Sequence, residues 1–195
     1  MSQMTTEDRE LLEAVATCLE YPGADFEGKA TPARQPRPDA SEAMARLGEA
    51  MKDLAAYLER EGEAVAEERY TQLFDLSPVC SLHLGYHLFG DAYERGELLA
   101  GLVRELTAAR LDFAHELPDF LPTVLRLLPR MHDEQDRKLL VAFIIVPGLD
   151  KIVTALEDAT DPWTSVLITL RAVILELVPV GKIDHDARKG VVLHA

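Results

Sequence analysis

Large apolar residues recur three or four positions apart along nearly the whole 195-residue chain, and that spacing permits little except packed helices. Met44, Leu47, Met51, Leu54 and Leu58 lay one stripe along a helix and require a neighbouring helix to cover it. Thr5 or Thr6 can cap an earlier helix with Leu11, Leu12, Val15 and Leu19 on its face, stopped by Tyr21-Pro22-Gly23. The pattern predicts a third helix over residues 63–74, ending near Ser77-Pro78, and a short apolar segment over 81–89, broken by Gly90-Asp91. Asp91 is then expected to cap a long helix carrying Leu98, Leu99, Leu102, Val103 and Leu106. Residues 117–122 read as a turn and helix start whose buried face continues through Val124, Leu125 and Leu128. Leu139, Leu140, Phe143 and Ile144 form a further face, expected to break at Pro147-Gly148. Leu149, Ile152, Val153 and Leu156 resume it, and Asp161-Pro162 announces a last helix over 163–178.

Strand candidates are confined to 143–146 and 191–193, neither with an alternating hairpin partner. No period repeats, which excludes a solenoid. The expectation is a single compact all-α domain over residues 1–180, of a size that buries about 70% of its unfolded surface without disulfide or metal staples. A Pro/Gly-rich loop is expected over 22–40, and a flexible C-terminal tail over 181–195.

Charge narrows the function. Twenty basic against 34 acidic residues give a net charge of −14, and 16 of the acids fall at or before Tyr70, so the acidity is spread along the chain rather than held in one tail. Phosphate contacts need clustered Lys and Arg, so nucleic acid and anionic membrane are poor partners and a basic partner is a good one. Two cysteines suit a reducing cytosol, and residues 1–10 lack the basic and apolar runs of a secretory signal. The most apolar stretch, 163–180, is interrupted by Arg171 and Glu176 and reads as a buried helix. A cytoplasmic protein is expected.

Catalytic patterns are thin. There is no phosphate-cradling glycine loop, nucleophile elbow or paired C-x-x-C. His83 and His87, at i and i+4, with Cys80 before them, have metal-like spacing but no further ligand in register, so packed or hydrogen-bonded histidines are expected. His87, His132, Asp133 and Asp150 follow the order of a helical HD-type metal-dependent hydrolase, the alternative reading. The polar run around His132-Asp133 makes Asp133 a good helix cap instead. Asp75, after Phe74, and Asp119, between Pro118 and Phe120, are the acids most enclosed by apolar neighbours, as caps or as reactive groups. Helical grooves with acidic rims suit an amphipathic basic helix.

Three segments carry a resemblance. They are Glu67-Glu68-Arg69-Tyr70-Thr71-Gln72-Leu73-Phe74-Asp75; Ser81-Leu82-His83-Leu84 through His87 to Gly90-Asp91 and Arg95-Gly96; and Glu116-Leu117-Pro118-Asp119-Phe120-Leu121-Pro122. In order and spacing they resemble the NarJ-type chaperones, the delta-subunit assembly factors of respiratory nitrate reductase within the wider TorD-like family. That resemblance implies an all-helical protein that is not an enzyme and holds no cofactor or metal of its own. It implies a cytoplasmic chaperone that binds the N-terminal segment of the apo catalytic subunit of a molybdopterin oxidoreductase. The chaperone would hold that subunit open for molybdopterin guanine dinucleotide insertion and delay membrane docking or export.

The resemblance implies a peptide groove around Leu117, Pro118, Asp119, Phe120 and Leu121. Asp119 would accept from the client's Lys, Arg or backbone N–H, and Phe120 and Leu121 would supply apolar wall. Tyr70, Phe74 and Asp75 are the next candidates. His83, His87, Gly90, Asp91, Arg95, Gly96, Glu116 and Pro122 are motif residues expected to hold the fold, with Asp91 and Arg95 as an i, i+4 pair. Arg126 stands where many relatives carry an acid. A permanent structural subunit of a larger complex is a third class that the same helical surface would fit.

Overall fold

A computed structural model describes residues 4–23, 40–76, 80–113, 115–156 and 161–181. Most of the 22–40 loop, the tail from 182 and the short strand candidate at 191–193 lie outside the described residues.

The first helix, α1 (Thr6–Cys18), starts at Thr5, whose hydroxyl accepts from the Asp8 N–H at 3.1 Å while the Asp8 carboxylate accepts from the Thr5 N–H at 2.8 Å. This reciprocal capping box satisfies two donors that the first turn otherwise leaves unpaired. Helix α2 (Glu42–Glu61), capped by Ser41, buries Leu47, Met51, Leu54 and Leu58 as the stripe requires. Its partner is α9 (Pro162–Leu177), whose buried Val166, Leu170, Val173 and Ile174 complete the largest helix–helix contact of the fold. Asp161 caps α9, accepting from the Trp163 N–H at 3.0 Å, and its other oxygen accepts from Arg69 Nε at 2.8 Å. One buried carboxylate thereby ties the start of α9 to α3 (Glu63–Tyr70).

Helix α3 widens into a π turn, Thr71–Asp75, closed by the Leu76 N–H donating to the Thr71 carbonyl at 2.9 Å. After it come α4 (Leu84–Phe89), α5 (Tyr93–Ala108) and α6 (Leu121–Leu127), the last tightening into a 3₁₀ turn at Leu128–Arg130. Helix α7 (Glu134–Leu140) is capped by Asp133, which accepts from the N–H groups of Gln135 and Asp136 at 2.7 and 2.9 Å. Helix α6 packs on α1, and α4 packs between α5 and α8 (Val146–Ala155).

Two boundaries differ from expectation. Asp91 does not cap α5; the capping position is Ala92, and the Asp91 side chain is exposed. The break expected at Pro147-Gly148 is absent. A second π turn, Val141–Ile145, already shifts the hydrogen-bond register ahead of Pro147, and α8 continues with the proline in its first turn, where no donor is needed. Residues 143–146, a strand candidate, belong to this helical run. The glycine serves packing, because a Cβ on Gly148 would come within 2.6 Å of Leu84. Among the described residues the extended pairing is one antiparallel bridge between His83 and Phe120, with the Leu84 N–H donating to Asp119 and the Leu121 N–H to Leu82.

Candidate functional site

That bridge brings the second and third motif segments together, and the first segment closes on them. Between them lies an open cleft of about 790 Å³, walled by Tyr70, Phe74 and Asp75 from α3 and its π turn, by Ser81, Leu82, His83 and Tyr86, by Arg95, and by Glu116 and Phe120. Glu20 and Tyr21, just past α1, complete it. The volume is that of a ligand site rather than a packing flaw.

The floor is aromatic. Tyr70 is buried, with Phe74 edge-on at 4.9 Å and Tyr21 edge-on at 5.5 Å. Its hydroxyl donates to the Leu19 carbonyl at 2.9 Å, and burial pushes its pKa well above the ordinary range, so it is a fixed neutral donor. Across the cleft the Phe120 ring lies 5.4 Å from His83.

The charges divide into two kinds. Asp119 is fully buried and accepts from Arg95 Nε at 3.0 Å and Nη2 at 3.4 Å. Gly85 makes room for this pair, since a Cβ there would stand 2.7 Å from Asp119 Oδ2. The guanidinium it holds lies 5.4 Å above the Tyr86 ring, a cation–π contact inside the cleft. Glu20 is likewise engaged, with Glu13, by Arg126. Asp75 and Glu116 are different: both are exposed on the cleft wall. Partial desolvation at the wall raises the Asp75 carboxyl pKa, offset in part by the field of His83. Glu116 Oε2 lies 3.5 Å from His83 Nε2.

The structure thus redistributes the expected groove. Tyr70, Phe74, Asp75 and Phe120 line the cleft. Asp119 is fully buried beneath the cleft, and each of its oxygens accepts from Arg95. Leu121, at the start of α6, is fully buried, and Pro118 and Pro122 are buried; neither Leu121 nor Pro118 is among the residues lining the cleft, and Leu117 is exposed outside that lining. His83 and His87 do not share a helical face. His83 is extended in the bridge, whereas His87 sits in α4, its Nε2–H donating to the Ser81 carbonyl, and burial lowers its pKa. Arg95 pairs first with Asp119 and only loosely, at 4.0 Å, with Asp91. Gly90 ends α4 at φ +58°, which favours glycine; Gly96 has open space where a Cβ would stand.

Cys80 is buried with its Sγ 3.5 Å from the Ala155 carbonyl, Asp133 is spent capping α7, and Asp150 pairs with Arg171. Among the described residues no three His, Cys, Asp or Glu side chains gather where a metal ion could be held. The hydrolase alternative therefore has no assembled site there. Sequence reasoning missed Glu20, Tyr21 and Tyr86. Tyr86 lay inside a quoted motif, but no spacing rule connects residues 20–21 to a wall fifty residues away.

The family model for the nitrate reductase delta subunit matches residues 40–168, which hold all three motif segments and most of the cleft wall. The chain belongs to that family. The nitrate reductase molybdenum cofactor assembly chaperone NarJ of Escherichia coli K12 is 30% identical over 129 residues, 62% of this chain and 51% of that protein. The nitrate reductase-like protein NarX of Mycobacterium tuberculosis H37Rv is 31% identical over 109 residues, 54% of this chain and 16% of that much longer protein. The chain thus spans about half of the first relative and a small part of the second. No helix among the described residues of this delta-subunit family member is long and apolar enough to cross a membrane.

Proposed function

We propose that this protein is an assembly chaperone, not an enzyme. It binds the N-terminal segment of the apo catalytic subunit of a nitrate reductase-like molybdopterin oxidoreductase in the cytoplasm. It holds that subunit open for molybdenum cofactor insertion and releases it before membrane docking or export. The observation that carries this reading is the convergence of three separated motif segments on one open, aromatic-floored, acid-rimmed cleft. The name of the Escherichia coli relative points to the same role.

Physically, such a client segment is disordered alone and folds as it binds, so its ordering cost must be offset by buried anchors. The aromatic floor supplies burial for apolar residues at helical spacing, and the net charge of −14 attracts a basic segment from a distance. Phe74, Phe120 and Tyr70 are the wall that an apolar anchor meets.

Titration calorimetry of the full chain with a synthetic peptide of the client's first twenty or so residues tests the proposal. A dissociation constant on the order of micromolar or tighter is expected, weakening as salt rises. Absence of heat at low salt, together with undiminished pull-down of a client lacking that segment, overturns it.

A further inference from the structure

We propose that Gly148, on α8 and outside the cleft lining, is a positioning residue that sets how far the α4 wall stands into the cleft. It acts through Leu84. This rests on the reading of the cleft as a peptide site and adds which distant residue governs its width.

Helix α4 has only six residues, so its place is decided by what it packs against rather than by its own hydrogen bonds. Its first turn brings Tyr86 to the cleft, and the extended residue before it brings His83. On one side stand α8 and the second π turn. A Cβ on Gly148 would come within 2.6 Å of Leu84 Cδ2, 3.3 Å of its Cβ and 3.5 Å of its Cα, so α8 meets the backbone of α4 and not only a side chain. Leu84 is fully buried and has no free space to turn into. On a second side Gly85 leaves no slack, since a Cβ there would stand 2.7 Å from Asp119 Oδ2 and 3.0 Å from Leu98 Cδ2. The remaining side faces the cleft through Tyr86. A push from α8 is therefore delivered into the cleft, where the Tyr86 ring lies 5.4 Å from the Arg95 guanidinium and the His83 ring 5.4 Å from Phe120.

A second hold lies in the same register. Lys151, three residues after Gly148, donates from Nζ at 2.7 Å to the carbonyl of His87, three residues after Leu84. A cation on a carbonyl of the last turn is the sign the helix dipole favours. The π turn at Val141–Ile145 widens the helical run just before α8 and so fixes which residue of α8 faces Leu84. Glycine inside a helical run is destabilising relative to alanine, and α8 forgoes that stability where the approach to Leu84 leaves no room for a methyl group.

The test compares the full chain with Gly148→Ala, Leu84→Ala and the double variant. Three quantities are read: affinity for the client's N-terminal peptide by calorimetry, the urea unfolding midpoint, and nuclear Overhauser contacts of Tyr86 with Arg95 and of His83 with Phe120. Gly148→Ala is expected to alter both contacts and to weaken peptide binding about fivefold. Leu84→Ala is expected to lower the midpoint while its folded fraction binds as the wild type does. The double variant is expected to regain both contacts and most of the affinity while remaining less stable than the wild type. Affinity then recovers as stability is lost, which a merely structural role does not produce. Gly96→Ala, at a helical glycine with open space beside it, is the control expected to change neither contact nor affinity. Wild-type contacts and affinity in Gly148→Ala, or a double variant that binds no better than Gly148→Ala, overturn the assignment. Lys151→Met, at an exposed position outside the cleft lining, covers the case in which Gly148→Ala does not fold. It is expected to weaken binding about twofold although removing a cation by itself favours a basic client, and affinity at or above the wild-type value overturns the proposal. A wild type that binds no peptide removes the chaperone reading, while contacts altered in Gly148→Ala and restored in the double variant still establish Gly148 as the residue that sets the wall.

Discussion

Between α2 and α9 the chain buries Leu47, Met51, Leu54 and Leu58 against a helix whose inward face is Val166, Leu170, Val173 and Ile174. Polar groups stay at its edges, where Ser41 reaches across to Glu176. At the cleft the chain does the opposite. It places Asp119 and Arg95 deep, cancels them against each other, and leaves Asp75 and Glu116 exposed at the mouth, where the His83 imidazole lies 3.5 Å from Glu116. The apolar layer gains from every methylene removed from water. The exposed carboxylates of the cleft bring no such gain. The exposed residues of the cleft are therefore a different set from the residues that hold the fold, and the motif segments contain both.

The strongest way to break that contrast is at Asp119. Removing its carboxylate with Asp119→Ala leaves Arg95, only 14% exposed, without its counter-charge, and should cost about 3–5 kcal/mol of stability in urea unfolding. Were Asp119→Ala as stable as the wild type and deficient only in peptide binding, Asp119 would be a client contact and the division would fail. Leu54→Ala, in the apolar layer, should cost about 3 kcal/mol through lost transfer energy and the cavity left behind. Its folded fraction should bind the client peptide with unchanged affinity by calorimetry. A weakened affinity would mean that the two regions are coupled.

The same contrast explains what could be read without coordinates. The α2 stripe, the Thr5 and Asp161 caps and the faces of α1 and α6 follow from local rules: helical period, side-chain acceptors at first turns and proline at helix starts. Their expected and observed boundaries nearly coincide. Motif matching identified Tyr70, Phe74, Asp75 and Phe120 as candidates, and all four line the cleft. It could not separate Asp75 from Asp119, because both are carboxylates flanked by apolar residues. What distinguishes them is a partner 24 residues away, and no spacing within a helix or turn encodes the Arg95–Asp119 pair. Glu20 and Tyr21 were invisible for the same reason. The continuation through Pro147 depended on a π turn, which leaves no compositional mark in the sequence.

A smaller effect sharpens the boundary between floor and wall. Tyr70→Phe removes the hydroxyl that donates to the buried Leu19 carbonyl while keeping the ring against Phe74 and Tyr21. The loss should be about 1–2 kcal/mol, since a carbonyl is left unsatisfied but packing is conserved. Peptide affinity should fall only if the end of α1, and with it Tyr21, shifts; fluorescence of Trp163, whose ring centroid lies 6.0 Å from that of Tyr70, would report the rearrangement.

The smallest effect has the most telling sign. Partial desolvation raises the Asp75 carboxyl pKa in the folded protein above the ordinary value of about 3.9. The folded state therefore holds more protons than the unfolded state between those two values, and stability falls as pH rises through that window. A carboxylate with a native cation behaves in the reverse manner, its stabilisation being lost as pH falls. Asp75→Asn should consequently be slightly more stable than the wild type at pH 7 and equal to it near pH 3, where both side chains are neutral. Urea midpoints measured across that range for the two proteins give the difference directly. A variant less stable than the wild type at pH 7 would mean that the field of His83 outweighs desolvation at Asp75, and that this carboxylate belongs with the residues that hold the fold.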